Sequence, residues 1–143
     1  MRFSPDLLVL AHDLPEVALA VEVKASIADP AAAEAQLRHY MADRRCHVAL
    51  IVTPTTSWIY AENSAGEIER VGDFSTAVLL GRPSIPTDGR GLLQAVRGWL
   101  EGLAEGRSTL STRPEVRQPM VRHLLPAVAD GRVVAGGPHQ SAA

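Results

Sequence analysis

The sequence predicts a single α/β domain with a mixed central β-sheet flanked by helices. Three observations carry this. Two apolar β-like runs, PDLLVLA at 5–11 and VALAVEVK at 17–24, flank a short polar connection, HDLPE. An alanine-rich helical stretch comes next. A continuous apolar strand, HVALIVT at 47–53, then follows, of the kind buried on both faces. A chain of 143 residues is long enough to bury one core without disulfides.

The first two runs read as a hairpin. Centred on Leu14, it sets Leu10 opposite Ala18, Leu8 opposite Ala20 and Asp6 opposite Glu22. Directly opposed residues share one side of the sheet. Lys24 lies two positions beyond Glu22 and falls on that side as well. In this register two carboxylates and one amine converge, and a one-residue slip would separate them.

Asp29 followed by Pro30 predicts a helix start, a capping carboxylate before a proline at the first helical position. The helix runs to about Arg44, with Ala33, Leu37, Tyr40 and Met41 on one stripe. Gln36 and Tyr40 are four apart and therefore neighbours on its surface. Two further runs, SWIYAEN and EIERV, predict a hairpin turning at Ser64–Gly66. LLGRPSIPTDG has the prolines and glycines of a connection.

The C-terminal part, about 88–130, reads as helical. Leu92, Leu93, Val96, Trp99, Leu100 and Leu103 recur at helical spacing, with Asp88 as the cap. Gly98 and Gly102 cost that helix about 1 kcal/mol each against alanine. A shorter helix is expected from about Pro119 to Ala129, its regularity limited by Pro126. Residues 1–132 thus make one domain, and 133–143 read as a disordered tail.

Composition narrows the function. A net charge of −2 argues against a strongly basic DNA-coating protein. It leaves nuclease chemistry open, because a nuclease site is itself acidic. The chain has no apolar run long enough for a membrane span and no signal-peptide pattern at its start, so a cytoplasmic setting with no membrane partner is the expectation. A lone cysteine, Cys46, reads as a small core filler. His39 is expected in solvent, and His12 and Asp13 in a turn. Arg44 and Arg45 are placed to complement a helix dipole. No glycine-rich phosphate loop and no nucleophile elbow is present.

Lysine usage is the sharpest anomaly. The chain has 13 arginines and one lysine, Lys24, set two residues after Glu22 inside an apolar run. Arginine is a permanently charged fork, whereas lysine is a compact point charge with a movable pKa. Asp and Glu oxygens suit Mg²⁺, which takes one or two carboxylates and fills its shell with water and substrate oxygens. Such a metal lowers the pKa of a bound water, and a nearby lysine orients that water.

Pro5–Asp6, then fifteen residues, then Glu22–Val23–Lys24 resembles the PD-(D/E)XK nuclease superfamily, the restriction-endonuclease-like fold. Gln36 to Tyr40, QLRHY, is similar to the QxxxY element of type I restriction-subunit nuclease domains and RecB-like nucleases. The likeness covers residues 4–62. It implies that Asp6, Glu22 and the Val23 backbone carbonyl bind Mg²⁺, with Mn²⁺ as a substitute. It implies that Lys24 assists the attacking water, and that Gln36 and Tyr40 support the site or contact the nucleic-acid backbone. The implied activity is metal-dependent hydrolysis of DNA phosphodiester bonds, in restriction, defence or repair. The alternative is a non-catalytic nuclease-like domain that binds nucleic acid or protein, as an oligomer or as a fragment of a larger protein.

That fold normally places a helix and a strand before the PD element, and only four residues precede Pro5 here. The usual first helix and strand are therefore expected to be absent. The C-terminal helices, a homodimer partner or a missing partner domain remain to fill their place.

Overall fold

β1 (Leu7–Leu10) and β2 (Val17–Val23) form the expected antiparallel hairpin, with Leu7 opposite Val21 and Leu8 opposite Ala20. The register slips at its far end. Leu10 faces Val17 rather than Ala18, because the ladder is irregular between Val9 and Leu10. An extra residue in one strand bends and twists the pair locally. The computed structural model describes residues 5–11, 16–108 and 110–136, so the turn with His12 and Asp13 lies outside the described residues.

α1 (Pro30–Arg44) starts where Asp29 Oδ1 accepts the Ala32 amide at 3.2 Å. It ends at Arg45, whose φ of 55° breaks the helical path and lets its amide turn back to the Ala42 carbonyl. Leu37, Tyr40 and Met41 are its buried stripe. The crossover returns the chain parallel to β2, so that β3 (Val48–Val52) sets Ile51 opposite Glu22. β4 (Thr56–Glu62) and β5 (Ile68–Ser75) complete the second hairpin. Its turn contains Gly66 at φ +81°, a backbone region where a side chain would be strained.

α2 (Thr76–Leu80) is a short helix that the apolar run did not distinguish from a connection; Ser75 Oγ accepts the Val78 amide at its start. α3 (Gly89–Ala104) is capped by Asp88, whose Oδ2 accepts the Gly91 amide at 2.7 Å. The last helical stretch begins at Pro114, earlier than expected. It runs as α4 (Pro114–Pro119), a π-helical turn (Met120–Leu124) and α5 (Leu125–Val128). The Leu125 amide reaches back five residues to the Met120 carbonyl. Pro126 has no amide to continue the ordinary ladder, and a wider turn accommodates that loss.

The expected tail needs correction. Residues 132–135 form β6 (Arg132–Ala135), antiparallel to β1, with Leu7 opposite Ala135 and Val9 opposite Val133. Val133 is buried in the core, and without β6 the outer edge of β1 would expose its unpaired amides and carbonyls. Residues 137–143 lie outside the described set.

The six strands form one mixed sheet in the order β5–β4–β3–β2–β1–β6. α1 covers one face, where Leu37, Tyr40 and Met41 meet Ala20, Ala49, Ile51 and Tyr60. The helices after β5 cover the other, where Leu92, Val96, Leu100, Met120 and Leu124 meet Leu7, Leu19, Val21, Leu50 and Ile59. Cys46 is buried in the first of these clusters, where burial pushes its thiol pKa up, and acts as core filling. Among the described residues no helix is long and apolar enough to cross a membrane.

Candidate functional site

The three charged residues singled out by the sequence meet where β1 begins and β2 ends. Asp6 stands one residue before β1. Its Oδ2 accepts the Val23 amide across 2.8 Å, taking the place of a ladder partner. Glu22 is the penultimate residue of β2 and is only 5% exposed. Lys24 follows the strand, tied by its amide to the Val52 carbonyl at 2.9 Å. Its Nζ lies 3.2 Å from Glu22 Oε2 while its side chain stays about half exposed. The site thus sits at the carboxyl ends of the parallel pair β2 and β3, the end where open α/β sheets bind ligands.

The electrostatics are unbalanced. Asp6 and Glu22 are in hydrogen-bonding contact with each other. Burial, and then the Asp6 carboxyl, push the Glu22 pKa up to about 8, against the opposing pull of Lys24. Glu22 Oε1 is buried and meets no hydrogen-bond donor. Two touching carboxylates beside a single ammonium carry one negative charge in excess. Such a cluster is stabilised by a shared proton or by a cation.

Oxygen donors for a cation are Asp6, Glu22 and the Val23 carbonyl. An extended residue turns its amide and carbonyl toward the same neighbouring strand, so the Val23 carbonyl faces the Asp6 side. Among the described residues no group of three or more His, Cys, Asp and Glu gathers to hold a metal. Two carboxylates and a carbonyl suit a hard cation that keeps several waters, rather than a closed zinc site. The orphaned Glu22 Oε1 fits the same group.

Gln36 and Tyr40 separate in the fold. Gln36 is exposed on α1. Tyr40 packs into the cluster with Ala20 and Ile51, the residues flanking Glu22 on its own side of the sheet. Burial raises its phenol pKa, and the Arg44 guanidinium lies 5.6 Å from its ring centroid. His39 is exposed, as expected.

Two features of the site region escaped the sequence. The first is Gly136, whose amide donates to the Asp6 carbonyl at 2.8 Å, just beyond β6. The second is a cavity of about 270 Å³ on the α1 face of the sheet. Ile51, directly opposite Glu22, forms part of it together with Trp58, Tyr60 and Arg70. The W-I-Y alternation shows that Trp58 and Tyr60 share a face, but only the strand order puts that face with Glu22. No protein-family model, curated protein or solved structure matches this chain.

Proposed function

We propose that the protein is a metal-dependent nuclease of the PD-(D/E)XK type that hydrolyses DNA phosphodiester bonds. The observation that carries this is the convergence of Asp6, Glu22 and Lys24 at one strand end, with a buried carboxylate oxygen left without a donor. The topology supports it. β1, β2, α1 and β3 follow in the order that the sequence resemblance implies, and β6, preceded by α5, takes the place flanking β1.

Each residue has a distinct task. Asp6 and Glu22 would hold Mg²⁺ or Mn²⁺, with the Val23 carbonyl as a further donor. The bound ion supplies Lewis-acid activation of the phosphate and a water of lowered pKa. The Val23 amide fixes the Asp6 carboxylate before any ligand arrives. Lys24 keeps its charged end at the mouth of the site, 3.2 Å from Glu22, where it orients the attacking water and steadies negative charge on the phosphate. The long apolar stem suits a point charge at this strand end better than a guanidinium fork. Burial of Glu22 keeps bulk water from its inner oxygen.

The test is cleavage of linear, circular and single-stranded DNA with Mg²⁺ or Mn²⁺ against chelator. Wild type is expected to cleave, with Lys24→Ala and Glu22→Gln reduced about a hundredfold or more. Metal-independent cleavage, or equal rates in the variants, would discard the assignment.

One observation favours a second reading, a nuclease-like domain without catalysis. A proton shared by Asp6 and Glu22, together with the Lys24 ion pair, neutralises the site without any metal. Calorimetric titration with Mg²⁺ separates the two, since only the first reading expects heat that disappears in Glu22→Gln.

A further inference from the structure

We propose that the cavity between α1 and β4 receives an unpaired base of the nucleotide adjoining the scissile phosphate, so that the substrate is single-stranded DNA or a frayed end. This rests on the nuclease reading and adds the strandedness of its substrate. Position is the first argument. Glu22, Ile51 and Trp58 occupy successive rungs of β2, β3 and β4, so their side chains share one face. Neighbouring strands are separated by about 4.8 Å, so two spacings put the Trp58 backbone about 10 Å from that of Glu22, within reach of a single nucleotide.

Shape and chemistry are the second argument. The cavity, about 270 Å³, is floored by Ile51 and walled by Ile27, Pro30, Trp58 and Tyr60. Trp58 is half-buried, so its ring is accessible. Arg70, opposite Tyr60 on β5, is exposed at the rim and supplies a cation for the flanking phosphate. The one acid in the wall, Glu34, is offset by Arg38 at 3.4 Å and bonded to the Tyr60 hydroxyl. Aromatic faces with a cation at the edge bind bases that are out of the stack, without regard to sequence. A paired base keeps both of its faces in the duplex and has none to offer.

The test uses Trp99→Phe protein, in which Trp58 is the sole tryptophan. Trp99 Nε1 is buried without a partner, so this exchange removes no hydrogen bond. Single-stranded oligodeoxynucleotides and the matching duplex are titrated against Trp58 emission in chelator, and both are assayed for cleavage with Mg²⁺. Saturable quenching by the single strand alone, and affinity for it, read from the anisotropy of a dye-labelled strand, reduced about tenfold in Trp58→Ala but kept in Trp58→Phe, is the expected result. Equal affinity in wild type and Trp58→Ala, or equal quenching by duplex, overturns the pocket even if cleavage is intact. Single-strand quenching without cleavage in any metal upholds the pocket and removes the nuclease reading instead.

Discussion

Gly136 presses against Pro5. A Cβ built on Gly136 would lie 1.6 Å from the Pro5 carbonyl oxygen, while the Gly136 amide bonds the Asp6 carbonyl at 2.8 Å. The end of the last strand therefore holds the backbone from which the Asp6 carboxylate projects. Gly136→Ala is expected to cost about 1–3 kcal/mol, because backbone rather than a pliable side chain must move. Urea unfolding reads this directly. Unchanged stability would show that the contact with Pro5 is loose.

Glu22 makes a pH dependence. An acid whose pKa is raised from 4.5 to about 8 on folding contributes its stability in full below the lower value. That contribution fades as pH rises through the higher one, when the buried carboxylate must ionise. In chelator, the melting temperature is expected to fall steadily from about pH 5 to about pH 8.5. Glu22→Gln cannot ionise and should flatten this slope. Parallel curves for the two proteins would mean that Glu22 is not the group responsible.

Divalent metal should reverse that loss. An ion that binds only the folded state at a hundred times its Kd adds about 2.7 kcal/mol. The expected result is a rise in melting temperature with Mg²⁺ at pH 8 that Glu22→Gln and Asp6→Asn abolish. A rise retained in both variants would place the ion elsewhere.

Thr76 anchors the junction of β5 and α2. Its buried hydroxyl donates to the Thr53 carbonyl at 2.7 Å, leaving its lone pairs to accept from Ser57 Oγ at 2.7 Å. Thr76→Val keeps the shape but strands both partners, at an expected cost of about 1–3 kcal/mol. Ser57→Ala in that background should add little, and full additivity in a double-mutant cycle would deny the shared bond.

Local chemistry made much of this architecture legible in the sequence. Asp29 with Pro30 starts α1 through contacts within one turn, and Asp88 does the same for α3. The hairpin of β1 and β2 is also local, so period-two alternation set Asp6 beside Glu22 and Lys24 without knowledge of the rest of the chain. The single lysine among arginines pointed to the same strand end. Tertiary structure decided what depends on distant partners. RVVA is too short to be a strand by itself and becomes β6 only because β1 offers an open edge. Gln36 turned into solvent because α1 lies on the sheet at one particular rotation, while the stripe holding Tyr40 was already visible in the helical spacing. Trp58 joined the Glu22 face only through the order of three strands. Periodicity describes how side chains divide between two faces, and only pairing between remote segments determines which faces meet.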